Sequence, residues 1–342
     1  MTTFKTHDNR RSGFAAWGTR SCFLAAALIL GAGCQRAQAE AAERNEQVAV
    51  APVAVGGQAV IDWNNTAFEV ALLADSKYLD PFLHLRALTM MHLAVHDAVN
   101  GVSQKYARYA LTKSDGAADP AVAAAAAAHG VLSSVFPGQR ALLDAKLAET
   151  TSAARSPAAS DRGLALGKAA AEAVLSARAG DRSAAVEQYT PGTGPGRYRF
   201  VPPLELVYRP AWRSVSPFAL KAGDQFRSKP PPALESAEYA ADYVEVQTYG
   251  RASDSSRKAE QTAYADWWYE LSEIGWNRIA RVTWAEQPQR DLWSTARLFA
   301  LLNVGLTDAY IAGWDSKLHY DFWRPYTAIR EIVNRARAGR RP

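Results

Sequence analysis

The chain has 342 residues, 48% of them hydrophobic and 21% charged, enough apolar material for one large globular body or two smaller ones. Its formal charge of +5 would suit a nucleic-acid partner only if the cations were spread over the body. They are not: residues 1–34 carry +3 and residues 328–342 carry +4, which leaves the rest at −2 and removes the main support for nucleic-acid binding.

Taken in order, residues 1–39 read as an export signal, so the protein is expected to be periplasmic or secreted. A basic stretch runs to Arg20, then come apolar Cys22 to Leu30 and a run of small residues. The apolar run is shorter than the roughly 20 residues a bilayer span needs. Two processing readings stay open. Ala37-Gln-Ala39 fits ordinary signal peptidase, whereas Leu30-Gly-Ala-Gly-Cys34 resembles a lipoprotein box that would anchor the chain through lipid on Cys34. Both cysteines, Cys22 and Cys34, lie in this segment, so the body has neither a disulfide nor a cysteine metal ligand.

Residues 40–58 read as a spacer and residues 59–342 as one helical domain. Regular structure is expected near Ile61, with Asn65 or Thr66 capping a short helix through Leu73. Leu85, Leu88, Met91, Val95 and Val99 recur at helical spacing over Pro81–Val99. Asp119-Pro120 and Ser156-Pro157 each pair a cap with a proline at the first helical position, opening helices to about Val135 and Gly180. Another helix is expected over 138–154, and the alanine content implies closely approaching backbones.

Residues 181–234 break the pattern with Tyr189-Thr-Pro-Gly-Thr-Gly-Pro-Gly196 and a series of prolines. The aromatics Tyr198, Phe200, Tyr208, Trp212 and Phe218 make this a strap packed on helices rather than a free loop. Helices resume over Ser236–Gly250, Asp254–Leu271, Trp276–Trp284 and Asp291–Gly313. No strand pattern or internal repeat is visible, so the fold class is all-α.

The last of these helices runs into Trp314-Asp-Ser-Lys317-Leu-His-Tyr-Asp-Phe-Trp-Arg324-Pro325. Lys317 and Arg324 are seven residues apart, and on one helix ~100° per residue would return them to the same face. Two cations converging among Trp314, Tyr320, Phe322 and Trp323 suit a tetrahedral oxyanion, because a drier wall strengthens each charged contact. The plainer reading, a Lys and an Arg at a helix surface beside a core aromatic stripe, stays open on spacing alone. His319 would lie on the opposite side, at the rim.

Other constellations carry less. His92 and His96 are four residues apart with Asp97 beside them, but no third ligand is evident, and satisfied core histidines are the better reading. A zinc hydrolase of the helical phospholipase type would have to recruit His84 or His129. The Gly192–Gly196 run neither follows a strand nor precedes Lys-Ser/Thr, so it reads as a proline-rich turn. There is no Gly-x-Ser-x-Gly elbow.

Lys317, six residues, then Arg324-Pro325 resembles the first signature of the superfamily joining vanadium-dependent haloperoxidases and type-2 phosphatidic acid phosphatases. Trp314 and Phe322-Trp-Arg-Pro325 place the likeness on the haloperoxidase side, and it extends over roughly residues 60–335. The resemblance implies a helical bundle that binds vanadate, or phosphate in the phosphatases, with hydrogen peroxide and halide, or a phosphate ester, as small-molecule substrates. It implies that Lys317 binds the oxyanion and polarises bound peroxide, that Arg324 holds equatorial oxygens and that Trp314 lines the halide side. The family's later signatures, Pro-Ser-Gly-His and Ser-Arg followed by Gly-x-His, are absent from this sequence. The expectation is therefore a haloperoxidase-like chain cut short at its C-terminus, with the last part of the bundle missing, half an anion site and no turnover. The tail from Asn334 is expected not to fold, and a homo-oligomer is compatible with the sequence.

Overall fold

The computed structural model describes residues 56–74, 80–154, 156–253, 256–288 and 290–338. The export segment and residues 40–55 of the spacer lie outside them. Among the described residues there are ten α-helices and no strand, only isolated bridges. They are α1 Gln58–Leu73, α2 Pro81–Val102, α3 Pro120–Val135, α4 Arg140–Ser152, α5 Pro157–Ala177, α6 Ala237–Tyr249, α7 Ala259–Trp267, α8 Ser272–Ala285, α9 Leu292–Tyr320 and α10 Pro325–Ala338. No helix among them is long and apolar enough to cross a membrane.

Capping explains most of the starts. Asp80 accepts from the Phe82 and Leu83 amides, Asp119 from Ala121 and Val122, and Asp291 from Trp293 and Ser294. Each satisfies donors that a helix start leaves open. Proline at the first position of α2, α3 and α5 adds a preset φ without forfeiting a hydrogen bond.

The core is built on α2, which is buried nearly all round, from Leu85 to Gly101. Alanine-rich α3 lies against both α2 and α5, and the approach to α5 is set by glycine. A Cβ at Gly167 would stand 2.3 Å from the Ala123 carbonyl oxygen and 2.6 Å from the Ala126 Cβ. Backbone therefore rests on backbone there, as the small residues predict. Long α9 crosses α2 on its other side, where the Thr89 hydroxyl meets that of Thr307 at 2.7 Å. A buried amide ladder joins three helices. Asn64 of α1 donates to Asn277 of α8 at 2.9 Å, and Asn277 donates to Asn303 of α9 at 3.0 Å.

The Pro/Gly-rich segment packs as a strap. Asp308 of α9 accepts the amides of Phe218, Ala219 and Leu220 at 2.7, 2.8 and 2.8 Å. The Arg178 guanidinium covers the Phe218 ring at 3.8 Å.

Three sequence expectations are corrected. The first helix starts at Gln58 behind Gly57, not at Asn65 or Thr66. Thr66 is interior, its hydroxyl bonded to the Asp62 carbonyl, so its polar atom serves the helix rather than opening it. The helix expected over Asp254–Leu271 is confined to Ala259–Trp267. The tail is folded through Ala338, because Pro325 opens a new helix whose first amides, Thr327 and Ala328, donate to the Arg324 carbonyl.

Candidate functional site

Lys317 lies in the last turn of α9 and Arg324 immediately before α10, so the two cations are not on one continuous helix. The helix ends at Tyr320, and Asp321 turns left-handed at φ 49° and ψ 38°, its amide donating to the Lys317 carbonyl at 3.0 Å. Two causes act together. Proline bars the α conformation for Arg324, the residue before it. The strap then takes over the backbone pairing: Tyr198 donates to the Asp321 carbonyl at 2.8 Å, and Trp323 donates to the Gly196 carbonyl at 2.9 Å. Gly196 holds φ +78°, which favours glycine at that point.

The cations remain in each other's field across this break. Burial, and after it the Arg324 charge, holds the Lys317 ammonium below the usual lysine value. Lys317 Nζ sits 4.0 Å above the Trp314 ring. Trp314 is itself fixed, its indole N–H donating to the Tyr208 carbonyl at 2.9 Å and its ring edge-on to Phe82 at 4.6 Å. Arg324 lies 5.9 Å from the Tyr198 ring. The amino end of α10, immediately beyond Arg324, adds positive potential. What this arrangement offers is an aromatic-walled pair of cations that an oxyanion would neutralise.

The histidines lie elsewhere. His319 is exposed, its ring edge-on to Tyr320 at 4.8 Å. His92 is fully buried, bonded to Asn64 at 2.9 Å and stacked on Phe299, and burial pushes it down to about 3. His96 meets the Ala107 carbonyl at 3.0 Å, and Asp97 accepts three backbone amides from the loop after α2. His96 and Asp97 are satisfied core groups; His92 is a core histidine, as expected, but its buried Nδ1 has no hydrogen-bond partner. His129 pairs with Asp144 at 2.6 Å. Among the described residues no three His, Cys, Asp or Glu side chains converge as a metal site requires, so the zinc reading has no ligand set.

Sequence reasoning missed Asp321 and its partners. The Asp321 carboxylate accepts the Tyr189 hydroxyl and pairs with Arg197 at 2.9 Å. Nothing local signals a contact across 132 positions. The only hint lay in the glycines of the strap, whose turn conformation presents it to the hinge.

The fold is a helical bundle of the kind found in vanadium haloperoxidases, and the sequence resemblance to that superfamily holds in three comparisons. A family model, the VCPO second helical-bundle domain, matches residues 297–339, which include Trp314, Lys317 and Arg324. The vanadium chloroperoxidase of Curvularia inaequalis is 27% identical over 347 residues, a match covering 80% of this chain. This chain spans 57% of the length of that curated relative. Among solved structures, a bacterial vanadium-dependent iodoperoxidase superposes with a TM-score of 0.66 at 19% identity, covering 84% of this chain and 75% of that one. A bacterial vanadium-dependent chloroperoxidase superposes with a TM-score of 0.55 at 18% identity, covering 74% and 64%.

The residues present fit part of a vanadate site. Lys317 and Arg324 match an anion's charge and oxygens, but His319 is turned onto Tyr320 and no other histidine accompanies them among the described residues. An apical nitrogen ligand is not supplied by this arrangement.

Proposed function

We propose that Lys317 and Arg324 form the cationic half of an oxyanion cradle for vanadate, in a protein of the haloperoxidase type. The observation that carries this reading is that Lys317, over the Trp314 ring, and Arg324, near the Tyr198 ring, stand in each other's field across the α9–α10 break. Vanadate held by these residues would supply the activation of peroxide toward halide. The chain's own residues bind and orient. Lys317 places its N–H donors on an oxygen from one side, and Arg324 offers its planar fork from the other. Trp314 covers one side of the Lys317 ammonium with its ring face and holds it by a cation–π contact.

The cradle carries no histidine and no second arginine of the family's later signatures, so this chain alone is expected to hold the anion weakly and not to turn over. The test is bromide oxidation with vanadate and hydrogen peroxide on the purified chain, paired with calorimetric titration of vanadate and of inorganic phosphate. Weak binding abolished by Lys317→Ala or Arg324→Gln, without bromide oxidation, is the expected result. Robust turnover removed by Lys317→Ala would overturn the half-site, and hydrolysis of phosphate esters without bromide oxidation would move the reading to a phosphatase.

A further inference from the structure

We propose that Tyr189, Arg197 and Asp321 form a positioning clamp that sets Arg324 against Lys317. The inference rests on the cradle reading above for its function, and on the strap's geometry for its substance. Between α9 and α10 only residues 321–324 intervene, and the strap grips the first three of them, up to the residue before Arg324. Tyr198 donates to the Asp321 carbonyl, Arg197 bridges Phe322 in antiparallel fashion, and Trp323 donates to the Gly196 carbonyl. On the far side Arg199 pairs with Glu331 of α10 and lies 5.9 Å from the Trp323 ring.

Asp321 is the centre of this grip. It is nearly buried and left-handed, a conformation that strains a non-glycine residue and persists only when its surroundings hold it. Its carboxylate takes the Tyr189 hydroxyl on one oxygen and Arg197 on the other. Burial and the Asp321 carboxylate both raise Tyr189, so that hydroxyl stays a donor throughout the physiological range. The Asp321 amide in turn donates to the carbonyl of Lys317 itself. One residue thus ties the last turn of α9, the strap and the approach to α10.

The clamp is separate from what holds the core. α9 is fixed to α2 and α8 through Thr307 and Asn303, far up the helix from the hinge. Releasing the clamp should therefore leave the bundle folded while Arg324 moves relative to Lys317.

The test measures the pH profile of Lys317 acetylation by trace acetic anhydride, read by mass spectrometry on the full chain, with Lys146 of α4 as internal reference. Arg324→Gln sets the size of the rise that follows when the neighbouring charge is removed. Asp321→Ala is expected to move the Lys317 midpoint upward by a comparable shift. Asp321→Asn, which tolerates the left-handed turn and keeps an acceptor for Tyr189, should restore part of it. Should Asp321→Ala fail to fold, the Tyr189→Phe/Arg197→Ala pair decides, since it leaves the hinge backbone untouched. An unchanged Lys317 midpoint in a folded clamp variant would overturn the proposal. Failure of the wild-type chain to bind vanadate or phosphate would sink the cradle reading instead, and the Lys317 profile would still decide the clamp.

Discussion

At the scale of single residues, the carboxylates divide by what they accept. Asp97, Asp308 and Asp321 are all buried, and Asp97 stands beside the His92 and His96 pair in the sequence. Yet Asp97 accepts the amides of Tyr109, Ala110 and Leu111, and Asp308 those of Phe218, Ala219 and Leu220. A carboxylate committed to three backbone donors closes a loop and is fixed as a structural acceptor, with most of its roughly four lone-pair sites taken. Removing one leaves three amides to find water, each costing about 1–3 kcal/mol if it stays buried. Asp308→Ala is expected to destabilise the fold by about 3 kcal/mol or more. Urea melts would measure the loss, and limited proteolysis should show early cleavage near 216–222, where the strap is released. At this scale the sequence was informative about chemistry and silent about partners. The residue types at 314, 317 and 324 were enough to nominate an oxyanion. Asp321 could not be found, because its role depends on Tyr189 and Arg197, brought back by the strap from far upstream.

At the scale of elements, helix starts marked by Asp-Pro or Ser-Pro were legible because their signal is local: a side-chain acceptor followed by a residue that needs no donor partner. α3 begins and ends at the residues its pattern implies. The first helix was misread because Thr66, offered with Asn65 as its cap, is interior and returns its hydroxyl to the Asp62 carbonyl one turn back, while the true start behind Gly57 has no side-chain cap. The α9–α10 break was misplaced onto one helix face because proline alone does not reveal that a distant strap will pair with the hinge. Glycine tests the same logic from the packing side. At Gly167 a methyl group would meet the Ala123 carbonyl oxygen at 2.3 Å and the Ala127 amide nitrogen at 2.8 Å, atoms that cannot move without displacing α3. Gly167→Ala is expected to cost about 1–3 kcal/mol by overpacking. Gly305 on α9 faces open space, so Gly305→Ala should stabilise by about 0.5–1 kcal/mol through helix propensity. Thermal melts of the two variants should move in opposite directions; a Gly167→Ala melt that does not fall would mean that α3 and α5 have room to separate.

At the scale of the whole molecule, the bundle encloses ionisable groups, Glu273 and His84 among them, that its assembly, not its sequence pattern, has neutralised. Periodicity announced which helices have a buried face, but not that Glu273 of α8 would be delivered against His84 of α2 and Tyr310 of α9. Glu273 is wholly buried, with no well-aligned hydrogen-bond partner for its carboxyl oxygens, and lies 4.0 Å from His84 Nδ1. Burial pushes it up from 4.5 to about 7, with Asp80 adding to the rise and its own amide and the Tyr310 hydroxyl opposing it. Burial pushes His84 down from 6.5 to about 4. The two act on stability with opposite sign. Glu273 has a raised value in the folded state, so its contribution is complete below about 4.5 and is lost as pH rises through about 7. His84 has a lowered value, so its contribution is complete above about 6.5 and is lost as pH falls through about 4. The fold is therefore squeezed from both sides, and a single substitution separates the two limbs. Glu273→Gln keeps the volume and removes the ionisation. Its stability relative to the wild type should grow between pH 4.5 and pH 8 by on the order of 3 kcal/mol, the free energy of the Glu273 shift. Below pH 4.5 the difference should be flat, and the acid limb, to which His84 and His92 both contribute, should be unchanged. Urea melts of both proteins across that range would measure it, and a stability difference that does not vary with pH would show that Glu273 is charged and solvated in the folded chain.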